Sequence, residues 1–502
     1  MDKMQIKRVR TSLGENQAQF GLRFGVSGIA ISHWELGRSK PNAQRLQALM
    51  ELDIAAEGPT PLQTPFRAIQ YLGSKQRLAR SIADVIGESV DEGARVGDLF
   101  AGTGVVSSVL AESRPVTAVD VQSYSSLIAR AVLTCSAADF DGALSDSFWS
   151  EVTEKVSLLQ KAAKALLAFE QEALTMAADG RPERLIEMIE HGSIAAHRQR
   201  PAHTSTEQLA KCLEKAAHAL AASDFSPADI TALTYFGGPY FSYSQAMELD
   251  AIGAVARARL KNPTGAEAAL LSTASEVVNT VGKQFAQPIK LRKSDGSVQP
   301  LLLSRAIADR RRSVEATFRT WVSRWSTRCL ASSYDHRVEC ADVLSFLERD
   351  ESCGAYYADP PYTIDHYSRF YHVLETLVRR DAPALDEMNK LGRRTVMRGV
   401  YRAGRYQSSF CIPSEAPDAF ANLFALASRR RVPLILSYSP FDEGSGARAR
   451  VLTMEQLLQL GAKHYRTCFP IEISEHSHRK LNTRLSNMQT RLDAERLFLF
   501  QN

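Results

Sequence analysis

No apolar run in the 502-residue sequence approaches the ~20 residues that a membrane-spanning helix needs. Met1 to Arg10 contain no apolar signal core. Cysteine is sparse: there are seven, at positions 135, 212, 329, 340, 353, 411 and 468, and no two are spaced Cys-x-x-Cys. That pattern indicates neither a disulfide framework nor a zinc site. The expectation is a cytoplasmic protein with reduced thiols and no metal. A strong charge excess is also missing. Sixty-one Lys and Arg face 56 Asp and Glu, and a net charge of +5 is too mild to argue for a nucleic-acid partner by itself. What remains is ordinary for a soluble globular chain, 44% hydrophobic and 23% charged, with length enough for two to four domains.

The first fifty residues read as a compact helical unit. Ile6, Val9 and Leu13 share one helical face, and Gln17 to Phe24 form a second short helix ended by Gly25. Ser27 is placed to cap a third helix running to Leu36, stopped by Gly37, and a fourth runs near Asn42 to Leu52. Two short helices about a tight glycine turn make a helix-turn-helix. The string Gln17-Ala18-x-Phe20, Gly25-Val26-Ser27, Ile31-Ser32-x-Trp34-Glu35-x-Gly37-Arg38 resembles the Cro/repressor-type DNA-binding domain. The resemblance implies that the third helix enters the major groove with Ser27, Gly28, Ile29, Ser32 and His33, that Gln17 lies near a phosphate, and that binding uses dimers. A small bundle that mediates protein contacts is the alternative.

Ala55 to Pro65, with Gly58, Pro59, Pro61 and Pro65, reads as a semi-extended linker. Beyond it the pattern becomes α/β. An amphipathic helix is predicted near Gln76 to Ile86. A strand then enters the run Asp98-Leu99-Phe100-Ala101-Gly102-Thr103-Gly104, and a helix starts near Val105. Glycines let a backbone approach a ligand, and helix N–H groups point at it. A second strand ends in Asp120, 16 residues after Gly104, about where a βαβ unit offers a carboxylate to ribose hydroxyls. A third ends near Asp342, which either caps the next helix or meets a ligand. A fourth, Ala355-Tyr356-Tyr357, leads into Asp359-Pro360-Pro361-Tyr362. Two prolines cannot continue a ladder, so an acid and a ring are held stiffly at a strand end.

Tyr71-Leu72-Gly73-Ser74-Lys75, then the glycine run, the acid-ended second strand and Asp-Pro-Pro-Tyr, in that order, resemble the Dam-like (alpha-group) N6-adenine DNA methyltransferases. Tyr240-Phe241-Ser242, Asn279 to Lys283, Tyr371 to Glu375 and Ser477 to Asn482 extend the resemblance over most of 67–502. It implies a Rossmann-like sheet and S-adenosylmethionine as cofactor. Tyr71, Lys75, Asp98, Phe100, Ala101, Gly102, Thr103, Gly104, Asp120 and Asp342 would bind that cofactor. Asp359, Pro360, Pro361 and Tyr362 would hold an adenine flipped from double-stranded DNA. N4-cytosine transfer, or a regulator that mainly binds an operator, stays open, as does a companion restriction endonuclease.

The expected division is 1–55 helix-turn-helix, 56–66 linker, 67–140 cofactor half, 141–335 helical insertion with target recognition, and 336–502 catalytic half. Within the insertion, Arg310 to Arg328 holds six arginines against the single acid Glu315, with Val314, Phe318, Trp321, Val322 and Trp325 at helical spacing. That predicts one packed stripe and a basic face, either solvated or against phosphates. Arg393, Arg394, Arg398 and the string Gly399 to Ser408 offer a second basic loop. Strands near Pro433 to Tyr438, Tyr465 to Ile473 and Arg496 to Phe500 are expected, the last two as a closing hairpin.

Overall fold

The computed structural model describes residues 66–71, 75, 76, 78–202, 205–329, 332–364, 367–390, 392–438, 450–472 and 496–502. Before residue 50 it describes positions 6, 10, 17, 20, 21, 24, 26–42, 45, 46 and 49. The chain divides into two compact units, Met1–Thr64 and Pro65–Asn502. Among the described residues no helix is long and apolar enough to cross a membrane.

In the first unit, helix α1 (Gly28–Leu36) is bounded as its end residues dictate. The Ser27 hydroxyl accepts the Ala30 N–H at 3.3 Å, and Gly37 takes the left-handed φ of 74° that closes the last turn. Ile31 and Trp34 face inward onto Ile6, Phe20, Phe24 and Leu49, while Ile29 is 69% exposed. Glu35 accepts hydrogen bonds from Arg10 Nε at 2.6 Å and Gln17 Nε2 at 2.7 Å. Gln17, expected near a phosphate, thus has its side-chain amide bound within the unit.

The second unit is built on a seven-stranded sheet. Its strands are β1 (Val96–Asp98), β2 (Val116–Asp120), β3 (Arg337–Cys340), β4 (Ala355–Ala358), β7 (Leu434–Tyr438), β8 (Thr467–Glu472) and β9 (Arg496–Gln501). A separate antiparallel hairpin pairs β5 (Glu387–Lys390) with β6 (Arg393–Val396). The spatial order is β3-β2-β1-β4-β7-β9-β8, with β9 alone running against the rest. β4 and β7 are buried along their whole length, and their Ala-Tyr-Tyr-Ala and Leu-Ile-Leu-Ser-Tyr runs suit a parallel sheet covered on both faces. The chain lays β2 and β3 to one side of β1 and β4 to the other. That reversal opens a crevice beyond the carboxyl ends of β1 and β4, where open α/β sheets bind ligands. The expected closing hairpin is the β8–β9 pair.

Helices α2 (Ala79–Ser89), α3 (Val105–Leu110) and α4 (Ser123–Thr134) flank the first strands. The long stretch before β3 is helical. It includes α5 (Asp146–Ala162), α6 (Lys164–Ala178), α7 (Tyr243–Arg259), α8 (Thr264–Val277), α9 (Pro300–Arg310) and α10 (Val314–Ser326). It is not a detached lobe. Its apolar core is continuous with Ile128 of α4 and with Tyr371 and Leu374 of α12 (Tyr367–Arg379), the helix after the Asp359–Tyr362 turn; α11 (Val343–Arg349) follows β3. Phe66, expected in the linker, packs edge-on to Trp325 at 4.7 Å and so belongs to this core.

The basic stretch 310–328 needs correction in part. α10 buries the expected stripe of Val314, Phe318, Val322 and Trp325. Arg310, however, ends α9 and is only 4% exposed. Its guanidinium donates to the carbonyls of Gly238 and Phe241 (3.1 Å for the latter) and to Asn279 Oδ1 at 3.3 Å. Asn279 N–H donates to the Tyr240 carbonyl at 2.8 Å. The strings at 240–242 and 279–283, distant in sequence, therefore meet around one buried cation. Glu170 of α6 completes the node by accepting the Tyr243 and Ser244 N–H groups at 2.7 and 3.3 Å, at the start of α7. Burial lowers the Arg310 pKa to about 10 and raises that of Glu170.

Candidate functional site

β1 delivers the chain into the glycine turn. Gly102 and Gly104 both take positive φ, 52° and 69°. A Cβ on Gly102 would lie 3.0–3.1 Å from the Tyr71 ring, so only glycine lets that ring rest on the turn. The Tyr71 ring also stacks on Tyr371 at 5.1 Å, and Tyr371 stacks on Tyr124 at 5.3 Å. Asp120, at the end of β2, folds back over the turn. One carboxylate oxygen accepts the Gly102 N–H at 2.9 Å and the other the Gln122 N–H at 2.8 Å. Burial pushes its pKa up to about 7, against the pull of those two hydrogen bonds.

β4 delivers Asp359-Pro360-Pro361-Tyr362 beside this turn. Lys75 Nζ lies 2.7 Å from Asp359 Oδ2, with the two side chains 7% and 18% exposed. The Tyr362 ring sits 5.0 Å from Tyr438, with Lys75 and Arg450 at 6.0 and 5.8 Å from its centre. The Tyr362 carbonyl accepts the Val451 N–H at 3.2 Å, which ties the turn to the segment after β7.

Asp342 does cap α11. Its Oδ1 accepts the N–H groups of Leu344 and Ser345 at 3.0 and 3.3 Å. Its Oδ2 accepts the Tyr406 hydroxyl at 2.9 Å, while Asp342 itself still lines the cleft. The two roles weighed for it in the sequence are thus compatible.

One cleft gathers Tyr71, Lys75, Phe100, Asp120, Asp342, Asp359, Pro360, Pro361 and Tyr362. Asp98, Ala101, Gly102, Thr103 and Gly104, also expected at the cofactor, are not among the residues that line it. Asp98 is buried beneath, accepts the Ser107 hydroxyl at 2.6 Å and has its pKa pushed up to about 6 by burial. Residues 101–104 form the turn itself, with Gly102 N–H bound to Asp120. Gln17, Ser27, Gly28, Ile29, Ser32 and His33 lie in the other unit. Positions 72–74 and the string at 477–482 fall outside the described residues.

The cleft also contains residues that no motif pointed to: Gln122, Tyr124, Tyr367, Ser368, Tyr406 and Gln407. Tyr406 falls within a string read as a basic loop, and its ring reaches the cleft only because the chain returns there after the β5–β6 hairpin. Among the described residues no cluster of three or more His, Cys, Asp or Glu side chains is arranged to hold a metal ion.

Comparison with known proteins agrees with the front part of this site. The chain is 27% identical over 190 residues to the modification methylase LlaI of Lactococcus lactis subsp. lactis, an alignment spanning 35% of this chain and 27% of that protein. Residues 71–166 match the family model of the D12 class N6 adenine-specific DNA methyltransferases, a stretch that holds Tyr71, Lys75, the glycine turn and Asp120 and ends before the turn at Asp359.

Proposed function

We propose that this chain is a DNA methyltransferase that modifies N6 of an adenine flipped out of the duplex. One observation carries the proposal: the Asp359 carboxylate and the Tyr362 ring share a cleft with Asp120, whose carboxylate holds the glycine turn. The cleft suits S-adenosylmethionine in its chemistry. Asp120 offers acceptors for a ribose diol, Asp342 an acceptor for an adenine amine, and Phe100 and Tyr406 apolar flanks. When bound, that cofactor supplies an electrophilic methyl group.

The chain's own residues do the rest. Tyr362 stacks on the extruded base, which returns ~1–3 kcal/mol of the unstacking cost. The Asp359 carboxylate and the Pro360 carbonyl accept the two amine hydrogens, so the nitrogen lone pair points out of the ring plane. The amine is a weak base in the ground state, and its protons become acidic as the new N–C bond forms. Asp359 then stabilises the charge that develops, an electrostatic and positional effect. Lys75 holds Asp359 in one orientation and balances its charge in the partly closed cleft.

The test is direct. Duplex DNA treated with the purified protein and S-adenosylmethionine, then digested to nucleosides, is expected to contain N6-methyladenine. N4-methylcytosine instead would replace the adenine assignment, and no methylated base would remove the enzymatic one.

Asp120 adds a pH dependence. Its carboxylate form predominates only above about pH 7. If the diol binds the carboxylate, affinity for S-adenosylhomocysteine falls about tenfold between about pH 8 and pH 6, and Asp120→Asn flattens the profile. Isothermal titration at several pH values reads this. Stability runs the opposite way in sign. The native state holds the Asp98 and Asp120 protons to about pH 6 and 7, whereas the unfolded chain releases them near 4, so both groups make stability fall as pH rises through that window.

The first unit supports a second role. Its capped helix presents exposed Ile29 and Ser27, surface suited to the major groove, as an operator-binding or affinity-adding module. Self-association on DNA and a companion endonuclease belong to the same proposal.

A further inference from the structure

The β5–β6 hairpin lies outside the cleft, yet it is held like a working part. Its acids are already engaged. Glu387 takes the Gln199 amide at 2.9 Å and Arg200 Nε at 3.1 Å, and Asp386 pairs with Arg405 at 2.8 Å. Arg393 and Arg394 are exposed, and neither forms an ion pair with a described residue. A second hairpin leaves the chain just after the 279–283 string. Arg292 bridges Val298, Lys293 N–H donates to the Ser297 carbonyl at 2.9 Å, and Lys290 and Lys293 are exposed.

The roots of the two hairpins are joined. Arg398 Nη2 donates to the Ile289 carbonyl at 2.9 Å, and the Tyr401 hydroxyl donates to the Ala286 carbonyl. The Tyr240 hydroxyl lies 3.1 Å from the Phe285 carbonyl and 2.9 Å from that of Gly399, with His372 Nε2 at 3.1 Å. Arg369 Nε reaches the Tyr401 hydroxyl at 3.1 Å, which fastens the joint to α12, the helix that follows the catalytic turn. His372 is fully enclosed there, and burial lowers its pKa to about 3. The His372 ring therefore stays neutral among these arginines, and the hydrogen bonds of Tyr240 and Tyr401 suit a rigid mount rather than a switch.

We propose that the β5–β6 hairpin is a second DNA-gripping prong, with Arg393 and Arg394 on phosphates of the duplex, yoked at its root to the 291–299 hairpin. A two-stranded ribbon fits the major groove, and arginine pairs bidentately with phosphate. The rigid joint sets the spacing of two basic prongs that a polyanion can bridge. This rests on the methyltransferase reading only in naming the duplex as substrate.

The experiment measures duplex binding by fluorescence anisotropy at several salt concentrations, without S-adenosylmethionine, so the hairpin is tested whether or not methyl transfer occurs. Arg393→Ala/Arg394→Ala is expected to lower affinity at least tenfold and to reduce the salt slope by about 1.8, close to 0.9 per phosphate contact. Arg393→Lys/Arg394→Lys keeps most of the slope, and the Arg393→Glu/Arg394→Glu variant loses more affinity than the alanine pair. S-adenosylhomocysteine affinity and the melting temperature stay at wild-type values in all three. An unchanged slope in the alanine variant overturns the proposal, as does a matching loss of S-adenosylhomocysteine affinity, or tighter binding of structured RNA than of duplex DNA. Failure of the wild-type chain to methylate any DNA would sink the enzymatic reading and leave this one standing.

Discussion

Asp359→Ala is expected to lower methylation at least about a thousandfold while S-adenosylmethionine still binds within a few-fold of wild type. A preorganised group aimed at developing charge is worth about a hundred- to thousandfold in rate, and Asp359 also positions the amine, so the two losses compound. Binding survives because the acceptors assigned to the cofactor, Asp120 and Asp342, are held by their own backbone and Tyr406 contacts rather than by Asp359. The variant also strands Lys75, 7% exposed, without its carboxylate. Asp359 is partly solvated, so the destabilisation is about 1–3 kcal/mol, below the cost for a fully buried pair. Asp359→Asn, which keeps the shape, separates that effect from the chemistry. Single-turnover methylation and equilibrium binding on one preparation check both halves. Wild-type rates in either variant would move the catalytic role elsewhere.

Arg310→Met is expected to destabilise the second unit by about 3–5 kcal/mol and to abolish productive DNA binding. The guanidinium is buried and satisfies the Gly238 and Phe241 carbonyls and Asn279 at once. Removing it takes that donor from the Gly238 carbonyl and Asn279 Oδ1, leaves the Phe241 carbonyl with the Gly238 N–H, and leaves Glu170 without its nearby cation in the interior. The same node positions Tyr240, whose hydroxyl joins the two basic hairpins, so the damage spreads beyond stability. Arg310→Lys recovers only part, since a point charge cannot bond three acceptors in the guanidinium plane. Denaturant unfolding followed by tryptophan fluorescence reads the effect directly, Trp325 being in the same core. A change under about 1 kcal/mol would mean the node is held by other contacts.

The legible parts and the hidden ones differ for a physical reason. The glycine turn, Asp120 and the Asp359 turn were visible because backbone geometry needs particular residue types: glycine at positive φ, proline where a ladder ends. Likewise Ser27 and Gly37 marked the ends of α1 before the structure placed them. Arg310 was misread as part of an exposed basic face, since charge is normally solvated and periodicity alone cannot tell a buried cation from a surface one. Asp98 was expected at the ligand, but its place beneath the turn depends on Ser107 of α3 reaching back to it. Tyr406 gave no signal, because its role needs the chain to return to the cleft after an intervening hairpin.

By itself, then, the sequence determined the α/β type, the caps and turns, and which acids and aromatics sit at strand ends. All of these are local properties, set by steric limits on φ, hydrogen-bonding groups at helix termini and the spacing of apolar residues. Tertiary structure alone decided which of those groups share a cleft, that Lys75 pairs with Asp359, that Arg310 is interior, and that two basic hairpins share one rigid root. Those are long-range facts, produced when burial forces each polar group to find a partner wherever the packed chain happens to bring one.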